Sequence, residues 1–326
     1  MGQQERRQVI ERERDLESVD RRLAAREVRA GVVEEQVDAA FAAAHGAERA
    51  FGDWRELLRW EGVDAVYVAT PTGPREERAV AAARAGRHVL AEKPFASLPS
   101  LRRITASCRD SGVCFMDATH FVHHPRFRAV RERTPATVGT TRSLETRFLV
   151  SLTDRGDIRY DAALEPLGAL GDLGWYNMRA TVEYLAADAP LKSVRAALDR
   201  DPDTGAVTAA EGSLEFENGA ASRWRCAFTA PAVDIGLRLA GPDGEISMDD
   251  FVGEAEDHSA SFRCSQGRDG HALRNTVRIE SALSGPALMF RHFAAAVANS
   301  ELREPWIRAS ERTQALLDAV LEAAER

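Results

Sequence analysis

The stretch VDAVYVATPTGPREERAVAAARAGRHVLAEKPFA, residues 63–96, decides the fold class. It opens with a short apolar, β-branched run, residues 63–70, that ends at Pro71, which is typical of a buried parallel strand. A helix is predicted over residues 75–86, where Gly86 provides the C-terminal stop, and a second strand over residues 87–92. Two strands joined by a helix indicate a right-handed βαβ unit in a parallel sheet.

The same alternation continues to about residue 120 and then changes. A helix over 97–112 and a strand over 113–119 extend the parallel pattern, whereas a strand over 141–150 and a helix over 171–186 are followed by strand-like runs. The turns ENG and PDG between these runs favour hairpins. The predicted fold class is therefore α/β followed by α+β. A Rossmann-like parallel-sheet domain with a degenerate N-terminal unit precedes a domain whose mostly antiparallel open sheet is covered by helices on one face.

Three segments follow from this division. We predict a cofactor domain over residues 1–120, a substrate and oligomerisation domain over residues 121–308, and a C-terminal helix over residues 309–326 that packs back on the body. Within the first segment, residues 1–35 are atypical because they are dominated by charged residues and alanine, and they are predicted to be helical.

Composition narrows the class of protein. The 326-residue chain has a net charge of −8, a balance that does not suggest a nucleic-acid-binding surface. No apolar stretch approaches the roughly 18–20 residues that span a bilayer, and the N-terminus has no apolar core of a secretory signal. Four scattered cysteines are expected to be free thiols in a reducing compartment. We therefore predict a cytoplasmic protein without nucleic-acid or membrane partners.

Lys93 is unusual in this chain. Of 43 lysine and arginine residues, only Lys93 and Lys192 are lysines. Lys93 follows the strand over 87–92, at the carboxyl end, where open α/β sheets place their ligands. An ammonium can reach a substrate oxygen and exchange a proton, whereas a guanidinium does not deprotonate at useful pH. A surface Glu92–Lys93 pair at a strand end is the alternative interpretation.

Asp172 and Tyr176 are four residues apart, so on a helix they share one face. The Tyr176 phenol could exchange a proton with a substrate oxygen, and a neighbouring Lys93 ammonium would lower the phenol pKa. Asp172 could balance that charge or bind a substrate hydroxyl. The alternative is that Asp172 caps the helix and Tyr176 belongs to the core.

Three blocks of sequence carry a family resemblance. Residues 63–96, with GRHVLAEKP, resemble the signature of the glucose–fructose oxidoreductase, inositol dehydrogenase and rhizopine catabolism (Gfo/Idh/MocA) family. The segments FMDATHFVHHPRF (115–127) and LGALGDLGWYNMRATVEYL (167–185) are similar to its interdomain segment and to the first helix of its second domain. The likeness covers roughly residues 36–326. The residues of the second and third blocks, with tyrosine at position 176, look nearest to those of the dihydrodiol-dehydrogenase-like branch.

The resemblance implies an NAD(P)-dependent oxidoreductase that transfers a hydride to or from a carbinol carbon of a sugar, polyol or cyclic diol, with NAD or NADP as cofactor. It implies a homodimer or larger homo-oligomer and these residues: catalytic Lys93, Asp172 and Tyr176; cofactor-binding Thr70, Pro71, Glu92, Lys93 and Pro94; substrate-binding His120, His123 and Asn177. We predict no metal site, because His120 and His124, although four residues apart, have no carboxylate or thiol beside them.

The N-terminus departs from the family pattern. A dinucleotide-binding fold normally opens with a strand and G-x-G-x-x-G, whose glycines let the phosphates approach the backbone. No such spacing occurs before residue 60. Two explanations are open. Either the protein has lost dinucleotide binding and is a redox-inactive binding protein, lyase or epimerase, or residues 1–35 are a frameshifted or wrongly started reading of an ordinary gene.

Overall fold

The structure is a computed structural model that describes residues 30–32, 49–185, 189–267 and 273–326. The chain forms two compact units. The first takes in the described residues up to 92 together with residues 99–118 and 289–308. The second takes in residues 93–98, 119–288 and 309–326. The predicted domains were continuous in sequence, whereas these units are not.

A parallel sheet organises the first unit. Its four strands lie in the order of the chain, β1-β2-β3-β4, and every neighbouring pair is parallel. The strands are β1 (Ala30–Val32), β2 (Ala65–Val68), β3 (His88–Ala91) and β4 (Phe115–Asp117), and the helices are α1 (Trp54–Arg59), α2 (Thr72–Arg84) and α3 (Leu98–Asp110). The predicted parallel α/β architecture is confirmed.

Strand β1 corrects the interpretation of the N-terminus. Residues 1–35 were predicted to be helical, but Ala30–Val32 is a strand that pairs with β2 in register from Ala30–Ala65 to Val32–Tyr67. The helical prediction is wrong for these three residues, because backbone pairing along β2 outweighs the local preference of a charged segment. The rest of the predicted helical segment lies outside the described residues.

The core of the first unit uses chain from distant parts of the sequence. Leu90 and Met116 on the sheet are buried in one cluster with Met289, Phe293 and Leu302. This explains why residues 289–308 belong to the first unit. These side chains bury apolar surface against β3 and β4, and this burial holds residues 289–308 in the first unit although they are distant in sequence.

A larger sheet organises the second unit. The strands are β5 (Ser143–Ser151), β6 (Leu191–Arg200), β7 (Val207–Phe216), β8 (Ala221–Ala227), β9 (Thr229–Asp234), β10 (Leu237–Gly241), β11 (Gly244–Met248), β12 (Ala260–Gln266) and β13 (Leu273–Ile279). Their order in the sheet is β13-β12-β11-β10-β5-β8-β7-β6, with β9 paired to β5. Among the strand pairs described, β5 with β8 is parallel and the others are antiparallel.

Three helices of the second unit cover one face of this sheet: α4 (Pro125–Thr137), α5 (Gly168–Asp172) and α6 (Gly174–Tyr184). Two further helices follow later in the chain, α7 (Gly285–Ala298) and α8 (Arg303–Ala324). Helix α6 packs on β5 and β8, α5 packs on β7, and α4 packs on β11 and β12. Along β8, Trp224 and Cys226 are buried beneath helices, whereas Arg223 and Arg225 are exposed on the other face. This alternation confirms the predicted open sheet.

Helix α8 fixes the segment that follows β3. It begins at Arg303, ahead of the predicted start at residue 309. Its Gln314 side chain accepts a hydrogen bond from the Phe95 backbone N–H at 3.1 Å, and Asp318 accepts one from the Leu98 N–H at 2.7 Å. Residues 93–98 therefore belong to the second unit, together with the helix that holds them.

The four cysteines are free and buried, as predicted. Burial raises the pKa of the Cys108 and Cys114 thiols to about 12, which makes them inert core side chains. Among the described helices, none combines the length and the apolar character needed to cross a membrane.

Candidate active site

Lys93 stands at the beginning of the second unit and follows β3, the strand that the sequence predicts over residues 87–92. The Lys93–Pro94 peptide bond is cis. The side chain is only 8% exposed, and its Nζ donates to both the backbone oxygen and Oδ1 of Asp172, each at 2.7 Å. The alternative of a surface Glu–Lys pair is therefore wrong, because the ammonium is buried within the second unit and pairs with Asp172.

Asp172 lies at the end of α5 and shares its carboxylate between two cations. Oδ1 accepts from Lys93, and Oδ2 accepts from the Arg159 Nε at 2.8 Å. Burial raises the pKa of the Asp172 carboxyl, but the charges and hydrogen bonds of Lys93 and Arg159 outweigh burial and hold this pKa below its ordinary value. Asp172 is therefore ionised at neutral pH and holds the Lys93 side chain in place.

Tyr176 follows in α6 and is buried, with 8% of the residue exposed. The predicted single helix over 171–186 is in fact α5 and α6, with Leu173 between them as the last cap of one and the first cap of the other. The Lys93 Nζ lies 4.9 Å from the centroid of the Tyr176 ring. The structure thus brings the ammonium and the phenol together, although they are far apart in the sequence.

Aromatic side chains hold the Tyr176 ring. Ring centroids lie 5.3 Å away for Phe148, 5.8 Å for His120 and 6.1 Å for Phe121. Such tilted and edge-to-face contacts stabilise a ring in one orientation. His120 is therefore placed beside the phenol, where the sequence predicted a substrate contact.

Arg159 is a residue of this site that the sequence analysis missed. It lies in a 3-10 turn, Ile158–Tyr160, whose Asp157 side chain accepts from the Arg159 backbone N–H at 2.9 Å. The Tyr160 hydroxyl donates to the Leu152 backbone oxygen at 2.8 Å and anchors the turn. No motif marks this arginine, because the chain contains many arginines and the turn has no fixed spacing to α5.

The predicted substrate residues His123 and Asn177 are buried. His123 is 4% exposed, and Asn177 is fully buried, where its Nδ2 donates to the Thr146 Oγ1 at 2.8 Å. The Asn177 amide is directed at Thr146 on β5, whereas the Tyr176 ring lies beside Phe148 further along β5 and beside Lys93. The structure thus engages Asn177 in a hydrogen bond within the protein.

His124 has a structural role. Its Nδ1 accepts from the Arg126 backbone N–H at 3.0 Å and caps α4, and its Nε2 lies 2.8 Å from the His258 backbone oxygen. Both ring nitrogens are therefore engaged, so His124 does not pair with His120 around a metal. Within the described part of the chain, no group of three or more His, Cys, Asp and Glu side chains has metal-binding geometry.

The predicted cofactor residues Thr70 and Pro71 lie in the first unit. They connect β2 to α2, which begins without a side-chain cap. The Thr70 hydroxyl is buried and has no hydrogen-bond partner among the residues that the structure describes. An unmade buried hydrogen bond costs about 1–3 kcal/mol, so a polar ligand here would be stabilised. This arrangement fits the polar parts of a nicotinamide dinucleotide.

Glu92, also in the first unit, is held by a phenol. Its backbone N–H donates to the Val68 oxygen at 3.0 Å, which continues the β2–β3 ladder. Its carboxylate accepts a hydrogen bond from the Tyr67 hydroxyl. Tyr67 in turn packs edge-on against Phe290 at 5.7 Å between centroids. The carboxylate is thus fixed in orientation at the end of the parallel sheet.

Comparison with known proteins identifies the family. The profile described as the oxidoreductase family with an NAD-binding Rossmann fold (GFO_IDH_MocA) matches residues 3–119, and that of the GFO/IDH/MocA C-terminal domain matches residues 127–247. The chain belongs to the Gfo/Idh/MocA family. The predicted recognition, fold and oxidoreductase activity are confirmed, and the first match includes the segment that lacks the glycine motif.

Two relatives of this chain are enzymes that act on sugars. The chain is 31% identical over 266 residues to a dTDP-3,4-didehydro-2,6-dideoxy-alpha-D-glucose 3-reductase of Actinomadura kijaniata, covering 81% of this chain and 77% of the relative. It is 29% identical to a D-xylose 1-dehydrogenase (NADP(+)) of Haloferax volcanii, covering 86% and 84%. Both are oxidoreductases, and neither favours the redox-inactive alternative.

A solved structure gives the same result. The 3-ketoreductase KijD10 of Actinomadura kijaniata, in complex with NADP and TDP-benzene, matches with a TM-score of 0.81 and 29% identity, over 91% of this chain and 89% of that chain. The fold of the Gfo/Idh/MocA proteins is therefore shared. The finer placement near the dihydrodiol-dehydrogenase-like branch stays a prediction.

Gly171 provides a test of how the lysine is positioned. A Cβ there would lie 2.7 Å from the Leu167 Cβ and 2.9 Å from the Pro94 Cγ. We expect Gly171→Ala to lower the free energy of unfolding by about 1–3 kcal/mol through overpacking and to lower kcat, because Pro94 and the adjoining Lys93 must move. Thermal unfolding and initial rates measure the two effects.

Gly174→Ala is the matched control. Its Cβ would meet the far end of the Leu170 side chain at 3.0 Å and the Cys226 Sγ at 3.4 Å, contacts that a small rotation relieves. We expect near-normal kcat from this variant. Equal losses of kcat in the two variants would contradict the role given to the Gly171–Pro94 contact.

Proposed function

We propose that Lys93, Asp172 and Tyr176 are the proton-transfer group of an NAD(P)-dependent oxidoreductase that interconverts a carbinol and a carbonyl on a sugar or polyol. The observation that carries this proposal is the Lys93 Nζ, held by Asp172 at 2.7 Å and 4.9 Å from the centroid of the Tyr176 ring. A buried ammonium beside a phenol favours the phenolate and so eases proton exchange at the phenol oxygen.

The proposed roles of Tyr176 and Lys93 differ between oxidation of the alcohol and reduction of the ketone. When bound, the nicotinamide ring would accept or donate the hydride. In alcohol oxidation, Tyr176 takes the hydroxyl proton while the C–H electron pair leaves with the hydride. In ketone reduction, Tyr176 returns the proton to the carbonyl oxygen, and the Lys93 ammonium stabilises the developing negative charge. Lys93 exchanges its own proton with Tyr176 as the phenol regains its starting state, and Asp172 orients Lys93 for this exchange.

The first unit supplies the proposed cofactor contacts. Thr70 and Pro71 would meet the dinucleotide at the end of β2, where the buried Thr70 hydroxyl lacks a protein partner among the described residues. Glu92, oriented by Tyr67, is the candidate to accept a hydrogen bond from the cofactor. The Lys93–Pro94 peptide forms the turn that follows. The xylose dehydrogenase and the KijD10 complex both name NADP, which supports NADP as one of the two cofactors to test.

The proposed substrate is a polyhydroxylated ring. The relatives act on a dTDP-linked keto sugar and on a free pentose, which share a ring carbinol or ketone and differ elsewhere. KijD10 has also been solved with one tyrosine replaced by phenylalanine and with one lysine replaced by alanine. These variants support a tyrosine and a lysine as the residues to test. We assign substrate contact to His120 and keep His123 as a second candidate.

We further propose a cytoplasmic homodimer. Four free, buried thiols are suited to a reducing compartment. The uncovered face of the larger sheet exposes Arg195, Glu211, Arg223 and Arg225, a mixture of charges that a second copy can complement. Sedimentation velocity should give twice the monomer mass, and Arg223→Glu with Arg225→Glu should halve it. A monomer at every concentration would exclude this pairing.

Rates with a set of substrates test the proposed function. The purified chain should reduce NADP or NAD in the presence of aldoses or polyols, or oxidise NADPH or NADH with keto sugars, free or nucleotide-linked. We expect steady turnover with at least one member of these classes, followed through nicotinamide absorbance. A chain that binds the dinucleotide and turns over none of them would contradict the proposed substrate class.

A further inference from the structure

Four charged side chains of alternating sign form a row through the active site of the second unit. Asp157 contacts Arg159, Arg159 contacts Asp172, and Asp172 contacts Lys93. We call this row the ion chain. The Asp172 carboxylate lies between the two cations, with one oxygen bonded to each, and Arg159 has Asp157 as its second carboxylate partner.

Arg159 is built into this row rather than lying loosely on the surface. Its Nε is 2.8 Å from the Asp172 Oδ2, and its Nη1 is 3.2 Å from both carboxylate oxygens of Asp157. The backbone beneath it is fixed by the Tyr160 hydroxyl, which donates to the Leu152 oxygen, and by the contact of Tyr160 with Phe228 at 6.1 Å. The guanidinium therefore remains against Asp172.

Sharing a carboxylate changes what it does for each partner. An opposite charge stabilises the protonated form of a lysine, and a second cation nearby opposes this. A carboxylate that also binds a guanidinium attracts the ammonium less strongly, because the positive guanidinium offsets part of the carboxylate's field. Arg159 therefore weakens the hold of Asp172 on the proton of Lys93, while it keeps the carboxylate itself in place.

We propose that Arg159 is a positioning residue which, through Asp172, limits how strongly the proton is held on Lys93 and so keeps Lys93 able to exchange it during turnover. This inference rests on the proposed function for the role of Lys93. Arg159 acts on the ammonium through the Asp172 carboxylate and through its own positive charge.

Other titratable groups near the ion chain also influence the pKa of Lys93. They are Tyr176 on α6, His120 on the adjoining 3-10 turn, and Cys226 on β8, whose thiol pKa burial raises to about 12. The Cys226 thiol is neutral. Tyr176 and His120 are unchanged by a substitution at Arg159, so their effect on Lys93 is common to the variant and the parent protein.

The chain permits a direct measurement, because it contains only two lysines. Lysine labelled with a heavy isotope at Cε gives two NMR signals, and Lys192→Arg assigns them. Lys192 is exposed on β6 and serves as an internal reference. Arg159→Met should raise the pKa of Lys93 by about one pH unit and leave Lys192 unchanged, since a like charge has been removed and Asp172 is no longer shared. Arg159→Lys should give an intermediate value.

Arg155→Met is the matched control. Arg155 lies in the same loop as Arg159, and its substitution removes the same positive charge. Arg155, however, pairs with Asp201 and Asp203 instead of Asp172. It should leave the pKa of Lys93 within a few tenths of the parent value. A Lys93 pKa that is unchanged in Arg159→Met, or shifted equally in Arg155→Met, would overturn the proposal. If Arg159→Met does not fold, an unshifted Lys93 in Arg159→Lys has the same meaning.

Kinetics separates this proposal from the proposed function. For an active parent enzyme, Arg159→Met should lower kcat about tenfold at neutral pH, move the limb of the pH profile that belongs to Lys93 upward, and leave KM within about twofold. A rise in KM with unchanged kcat and pH profile would show that Arg159 contacts substrate directly, against the proposal. An inactive parent with the expected NMR shift would refute the proposed function alone.

Discussion

Lys93→Met should reduce kcat by about 10²–10⁴-fold, the usual contribution of a positioned proton-transfer group. Methionine preserves the length of the side chain and removes the ammonium that donates to Asp172 at 2.7 Å. The loss should appear in both kcat and kcat/KM, because the ammonium stabilises charge that develops on the substrate oxygen or the Tyr176 phenol in the transition state.

Lys192→Met is the matched control, since it removes the only other lysine from an exposed position on β6. It should keep the parent rate. Lys93→Met should also retain a cooperative thermal transition, because Arg159 still pairs with Asp172. Turnover within threefold of the parent enzyme in folded Lys93→Met would remove the lysine from the mechanism.

Tyr176→Phe should have an effect of the same order, about 10²–10⁴-fold in kcat. The substitution deletes a single oxygen and keeps the ring that packs against Phe148, His120 and Phe121. Stability should therefore change little, while the proton lost from or gained by the substrate oxygen has no acceptor or donor. Initial rates and the melting temperature measure the two effects.

Tyr184→Phe tests whether that loss is specific. Tyr184 lies on the same helix as Tyr176 and is buried, where its ring packs 5.4 Å from Phe127. Removal of the buried Tyr184 hydroxyl should change the free energy of unfolding and leave kcat unchanged. Comparable losses of kcat in both variants would assign the effect to the helix rather than to the Tyr176 phenol.

The parallel sheet and the paired acid and phenol could be predicted because each leaves a local signal. Residues 63–70 form a short β-branched run with a proline behind it, and β2 is found inside that range. The spacing of Asp172 and Tyr176 predicts one helix face, and the two side chains do meet Lys93 although a break at Leu173 divides the helix. The link from Lys93 to α5 came from family resemblance, since no local pattern encodes it.

Other features depend on tertiary contacts that a local pattern does not contain. Arg159 reaches Asp172 from a separate turn, and nothing around it distinguishes it from the other arginines. The family resemblance implies substrate contact for Asn177, yet the structure directs its amide to Thr146. Strand β1 was hidden within a charged segment, because its pairing depends on the backbone of β2.

The chain should bind a nicotinamide dinucleotide although it has no evident glycine-rich loop before residue 60. Titration of the purified chain with NADPH and with NADH, followed through nicotinamide fluorescence, tests it most directly. We expect saturable binding of at least one of them and its displacement by the corresponding oxidised dinucleotide. If the folded protein binds neither reduced dinucleotide up to millimolar concentration, it does not use a nicotinamide cofactor.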